Sequence, residues 1–224
     1  MDNWFVEKFI FKKGSTELKR ILLTERDKAV LKFINEFGFC EIRHIQEQFR
    51  VVKRRAYRVM NRLIAGGLVQ HQTIFHKTHG VYLLTEKGAK FGDIRHLKRP
   101  PHNEYDHHLL VLDVYQKLIK VHKNFEWISE RRLDQNKSHE KEGKKKHIAD
   151  GMMLLGDKKV AIEIELTNKA KDRLKKIIDN YTFETDVGDE VWYFCNAETI
   201  SKVRAMAERR PFIKVIAITD FLNG

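Results

Sequence analysis

The sequence predicts a two-domain protein of mixed α and β structure, an α+β half followed by an α/β half built on a mixed sheet. Three observations lead there. The 224-residue chain contains a single Pro-Pro pair, Pro100-Pro101, within the polar and basic stretch HLKRPPHNE, which disfavours helix continuation and reads as a linker. The charge changes at that point: residues 1–100 hold 21 Lys and Arg against 10 Asp and Glu, whereas residues 101–224 hold 22 against 21. The periodicity changes as well, from three helical stretches and a hairpin to strands interleaved with helices. The boundaries that follow are residues 1–99 and 100–224.

In the first half, TERDKAVLKFINEFG opens with Thr24 as an N-cap and acidic Glu25 and Asp27 in the first turn. Val30, Leu31, Ile34 and Phe37 recur at helical spacing, and Gly38 stands where a C-cap belongs. EIRHIQEQF predicts a second, shorter helix. The third, over about Lys53 to Ala65, has Ala56, Val59, Met60 and Leu63 as its apolar stripe and Arg54, Arg58 and Arg62 at i, i+4, i+8 on another face, with Lys53, Arg55, Tyr57 and Asn61 beside them. So many cations on one short helix repel unless something neutralises them. After Gly66-Gly67 the run LVQHQTIF, the turn HKTHG and the run VYLL predict a hairpin, and LTEKGAKF opens another helix.

Three helices followed by a two-stranded hairpin is the order of a winged helix-turn-helix, which the segment from GGLV through YLLTEKG resembles over about residues 20–92. That resemblance implies that the third helix enters the major groove of double-stranded DNA and that the wing touches adjacent backbone. Lys53, Arg54, Arg55, Tyr57, Arg58, Asn61 and Arg62 would then face DNA, with His76 and Lys77 on the wing. The bland alternative is a protein-binding domain whose Arg stripe is simply solvated.

The second half begins with a helix, about Glu104 to Lys123, that is apolar on more than one face. NFEWISE reads as a strand, and LDQNKSHEKEGKKKH as a long hairpin loop or insertion. HIADGMMLL and KKVAIEIEL, joined by the turn Gly156-Asp157, are strands in hairpin spacing. On the second, Val160, Ile162 and Ile164 share one face, so Glu163 and Glu165 share the other. Two carboxylates on one face of an apolar strand need a positive partner. Asp150 lies on the neighbouring strand across the turn, and three oxygen ligands at a sheet edge suit Mg²⁺ or Mn²⁺. A helix from about Ala170 to Thr185, the strand EVWYFC, the helix ETISKVRAMAERR and the strand FIKVIAI complete the chain.

That order is the core order of the PD-(D/E)xK, restriction-endonuclease-like superfamily. The runs IADGMMLL, IEIELTNKAKDRLKKIIDNY and VWYF, preceded by WISE and by the winged helix, further resemble the replication-relaxation family of plasmids. The resemblance implies Asp150 and Glu163 as motif acids, Glu130 as a further acid on the first strand, and relaxase or replication proteins as partners. Glu165 stands where the motif lysine is usual, and Lys169 could supply the missing cation. If the site is active, Asp150 and Glu163, with Glu130 and Glu165, would hold the metal. Glu165 would be third ligand or general base in phosphodiester hydrolysis, and Lys169 would stabilise developing charge. If it is a relic, the carboxylates would pair with Lys169, Arg131 or Arg132.

Composition excludes other classes. Cys40 and Cys195 stand alone, so neither a disulfide framework nor a cysteine zinc site is expected, and a cytoplasmic, reducing compartment fits. No apolar run approaches the ~18 residues of a membrane span, and Glu7 and Lys8 interrupt the apolar N-terminus. The eleven histidines lack metal-ligand spacing. Trp4, Phe5, Phe9 and Phe11 form either a homodimer contact or a cap on the first domain. The leading expectation is a double-stranded-DNA-binding protein of a mobile element, acting in plasmid replication, relaxation, mobilisation or transcriptional control. The alternatives are a Mg²⁺-dependent endonuclease or nickase of a defence or transposition system and, third, a protein-interaction adaptor.

Overall fold

The computed structural model describes residues 22–76, 78–137, 147–167, 169–183 and 188–224. Their arrangement is mixed α and β with two separate sheets, and the chain divides into two compact units at Pro100/Pro101. Lys77 and the aromatic N-terminal segment lie outside the described residues. Among the described residues no helix is long and apolar enough to cross a membrane.

In the first unit, α1 (Glu25–Phe37) is closed at its start by a capping box between Thr24 and Asp27 and at its end by Gly38, whose φ of 84° suits glycine and whose amide donates to Ile34 O at 2.7 Å. A three-residue strand that the periodicity did not indicate, β1 (Phe39–Glu41), leads into α2 (Ile42–Gln48). It is too short to show alternation, and all three of its residues are buried. α3 (Lys53–Ala65) follows, then β2 (Val69–Gln72), β3 (Val81–Leu84) and the short α4 (Glu86–Ala89). The antiparallel sheet runs β1-β3-β2, which accounts for the burial of every residue of the central β3. Val30, Leu31, Ile34, Ile45, Ala56, Met60, Leu63 and Leu83 are almost wholly buried and form the core.

The second unit starts with α5 (Tyr105–Val121), β4 (Glu126–Ser129) and α6 (Glu130–Lys137). α6 corrects two expectations: Glu130, expected on the strand, and residues 133–137, expected to open the loop, are helical, and residues 138–146 of that loop stretch lie outside the described residues. β5 (Gly151–Leu155), β6 (Lys158–Glu165), α7 (Lys171–Phe183), β7 (Glu190–Cys195), α8 (Ile200–Ala207) and β8 (Ile213–Ala217) follow. A final short helix, α9 (Ile218–Asn223), takes its first residue, Ile218, from the end of the apolar run FIKVIAI that the sequence assigns to the strand.

The sheet order is β4-β5-β6-β7-β8, antiparallel from β4 to β6 and parallel from β6 to β8. Helices cover both faces. Val160, Ile162 and Ile164 pack with Val111, Val114 and Leu118 of α5 and with α9. Ala161, Tyr193 and Cys195 pack with Leu174, Ile178 and Tyr181 of α7 and Val203 of α8. Strand alternation therefore directs Glu163 and Glu165 into the α7 and α8 side of a closed sandwich.

Candidate functional site

Two groups of chemistry-bearing side chains stand out, one in each unit. The first is α3. Ala56, Met60 and Leu63 anchor one side of the helix, while Lys53, Arg54, Arg55, Tyr57, Arg58, Asn61 and Arg62 are exposed. The first turn holds no acid, and Lys53, Arg54 and Arg55 occupy it. Helix N-termini favour anions, so three cations there cost stability rather than add it.

Arg62 requires a correction. Its guanidinium hydrogen-bonds the carboxylate of Asp27, which is fully buried, so Arg62 serves as an internal counter-ion between α3 and α1 while remaining half-exposed. A buried carboxylate without a partner would be far costlier than the exposed arginine, which explains the choice. The expected stripe also shifts. Arg55, Arg58 and Arg62, together with Arg26 of α1, border a groove of about 610 Å³, while Arg54, Tyr57 and Asn61 form a separate exposed row. His76 is exposed between β2 and β3, and Lys77 beside it lies outside the described residues.

The second group lies where β5 and β6 begin and end. Asp150 immediately precedes β5 rather than sitting within it. Its Oδ2 accepts the Ile164 N–H at 2.6 Å and its Oδ1 lies 2.9 Å from His107 Nε2. Glu163, 4% exposed, lies 2.6 Å from His147 Nε2 through Oε1 and also accepts the Tyr181 hydroxyl. Glu165, equally buried, is taken by Lys169 Nζ at 2.7 Å, with the Thr167 hydroxyl at 3.4 Å. Glu130, expected on a strand, instead begins α6. The register Ser129↔Gly151 brings it near Asp150, because the strand partner of Gly151 is the residue before it.

The electrostatics follow from this crowding. Burial pushes the Glu163 carboxyl up; the His147 hydrogen bond opposes that shift and the Asp150 charge adds to it. Glu130 keeps an open side to solvent, yet the surrounding protein and the carboxylates of Asp150, Glu104 and Glu163 push it up to about 7. Burial disfavours the charged ring of His147, but its bond to Glu163 and the charges of Glu163 and Asp150 outweigh that and raise it. His107 is raised in the same way by Asp150 and Glu130. Burial, and then Glu163, hold the phenol of Tyr181 well above its ordinary value. Tyr193, paired with Glu163 across β6 and β7, is buried, and its hydroxyl has no hydrogen-bond partner among the described residues.

The expectation gathers Glu130, Asp150, Glu163 and Glu165 around one Mg²⁺ or Mn²⁺; here Glu130, Asp150 and Glu163 lie close enough for their charges to interact, and Asp150, Glu163 and Glu165 each have a protein partner. The lone pairs of Asp150 and Glu163 are directed at imidazoles, a phenol and a backbone amide, and Glu165 accepts from the Lys169 ammonium. Among the described residues no three His, Cys, Asp or Glu side chains are grouped to hold a metal ion. His107, His147 and Tyr181 were absent from the sequence-derived set. The spacing of His147 and Asp150, three residues apart ahead of β5, was the signal available for one of them.

Residues 31–187 match the replication-relaxation family. No curated protein matches the chain. Among solved structures, protein VC1899 from Vibrio cholerae is similar at a TM-score of 0.34 and 10% identity, over 90% of this chain and 55% of that one, which is too slight a similarity to carry any argument. With most of its length inside the matched region, the chain belongs to the replication-relaxation family.

Proposed function

We propose that the protein binds double-stranded DNA through α3 and acts in plasmid replication or relaxation. On this reading the first unit is a winged helix-turn-helix with α3 as the groove-entering helix and the β2–β3 connection as the wing. The second unit is a restriction-endonuclease-like domain. The observation that carries the reading is the exposed cation set of α3. Lys53, Arg54, Arg55 and Arg58 have no acidic partner among the described residues, and three of them sit at the helix end where they are least stable. Charge held against local stability is the mark of a surface built for a polyanion. Membership of the replication-relaxation family supports the biological setting.

The test is binding to a labelled duplex across a salt series. Tight binding at low salt that falls steeply with added salt, and that is lost in the Arg54→Ala/Arg58→Ala double variant, is the expected result. Equal affinity of wild type and variant would refute the reading. Arg62 is a poor probe because its removal strands Asp27. Incubation with supercoiled plasmid and Mn²⁺ separates the alternative of an endonuclease, which nicks, from a binder, which does not.

A further inference from the structure

The solvent side of α3 carries two rows at helical spacing that differ in chemistry. Arg54, Tyr57 and Asn61 form one; Arg55, Arg58 and Arg62 form the other. The second row borders the 610 Å³ groove, whose facing wall is the start of α1 with Arg26. Two of the charges there already have partners: Glu25, exposed, is paired with Lys28 at 3.0 Å, and Arg62 with the buried Asp27. What remains is Arg26, Arg55 and Arg58, three exposed guanidiniums from two helices around one groove, without an acidic partner among the described residues.

Like charges gathered in one concavity repel, and an anion entering it relieves that repulsion. Guanidinium forks suit the paired oxygens of a phosphate in particular. The other row is mixed. A carboxamide such as Asn61 matches the adenine edge bidentately, a guanidinium such as Arg54 matches guanine, and Tyr57 offers an exposed ring and a hydroxyl. Such groups distinguish bases, whereas a row made only of cations does not.

We infer that Arg26, Arg55 and Arg58 clamp the phosphodiester backbone of duplex DNA while Arg54, Tyr57 and Asn61 meet base edges, so that affinity and sequence preference reside on separate rows. The inference rests on the reading of the chain as a duplex-DNA binder. Arg26 tests it best, because it lies on α1 and no helix-wide argument about α3 would include it.

The experiment uses the full chain as wild type, Arg26→Ala and Asn61→Ala. Each is presented with a pool of duplexes randomised over a central segment, then with the sequences that wild type selects, across a salt series. Both substituted side chains are exposed, and an unchanged thermal midpoint verifies the fold. Arg26→Ala is expected to lower affinity for every duplex by a similar factor, roughly tenfold, to reduce the slope of log K against log salt by about one, and to select the wild-type sequences. Asn61→Ala is expected to keep the slope and lose preference at one position. A wild-type slope in Arg26→Ala, an altered preference in Arg26→Ala, an unaltered one in Asn61→Ala, or a wild type that binds but selects no sequence overturns the division. A wild type that binds no duplex at low salt removes the DNA-binding reading itself, and is recognised before any variant is measured.

Discussion

The carboxylate of Asp27, buried in the first turn of α1, is shared between two helices: Oδ1 takes the guanidinium of Arg62 from α3, and Oδ2 takes the amide and hydroxyl of Thr24, each at 2.7 Å. One side chain thus caps α1 and ties it to the helix that carries the cations. Asp27→Ala loses a cap worth about 1 kcal/mol and charged hydrogen bonds worth about 1.5–3 kcal/mol, so chemical denaturation should show a loss of about 2.5–4 kcal/mol. Arg62→Ala should cost more than the Asp27→Asn/Arg62→Met double variant, because only the single change leaves a buried charge uncompensated. Equal costs would mean that solvent screens the pair.

The first turn of α3 should show function opposing stability. Replacing Arg54 by Glu puts an anion where the helix favours one and removes a neighbour that repels Lys53, Arg55 and Arg58. The expected gain is about 0.3–1 kcal/mol in unfolding free energy, accompanied by a marked loss of duplex affinity. A variant that is both less stable and unaffected in binding would contradict both halves of the argument.

The described helices α1, α2, α3, α5, α7 and α8 and most of the strands could be read in the sequence because each is long enough to show its period. β1, α6 and α9 could not. β1 has three residues, α6 is so polar that its helical period carries no apolar signal, and α9 continues an apolar run. At the sites, residue types and faces were legible, as with Glu163 and Glu165 on one side of β6. Partner choice was not. That Arg62 turns to Asp27, 35 residues away, and that His107 reaches Asp150 across 43, are results of tertiary packing that no local spacing encodes.

The imidazole and carboxylate cluster predicts a pH dependence of one sign. His107 and His147 are raised above their ordinary value near 6.5, so their contribution is full below about 6.5 and is lost as pH rises through the folded values. Glu163 is raised as well, and Glu130 is raised from 4.5 to about 7, so each binds its proton more tightly in the folded chain. Stability should therefore fall as pH rises from about 5 to 8, most steeply up to about 7 and then as the histidines discharge. Thermal unfolding followed by the emission of Trp127 and Trp192 in a Trp4→Phe background checks this. The His107→Gln/His147→Gln variant should flatten the upper part of the curve, and stability that increases over the same range would refute the assignment.

A side chain at Gly88 should be opposed by backbone packing, whereas one at Gly156 should not. A Cβ on Gly88 would lie 1.9 Å from Leu68 O and 2.8 Å from the Leu68 carbonyl carbon, which are backbone atoms that no rotamer change can move. The two segments are fastened together there. The Thr85 hydroxyl donates to Gly67 O at 2.7 Å and accepts the Gly88 N–H at 3.1 Å, and Lys87 Nζ donates to Gly66 O at 3.0 Å. Gly88→Ala must therefore separate α4 from the turn between α3 and β2, at a cost of about 1–3 kcal/mol. Because that turn sets where α3 ends and the hairpin begins, duplex binding should weaken along with stability. Gly156 has a φ of +60° but no atom of the described residues within 4 Å of an added Cβ, so Gly156→Ala should cost only the left-handed backbone penalty of about 1–2 kcal/mol and leave binding intact. Denaturation midpoints and duplex affinities of the two variants, measured side by side, decide the matter: a Gly88→Ala protein that binds like wild type would show that α4 does not position the helix and hairpin it touches.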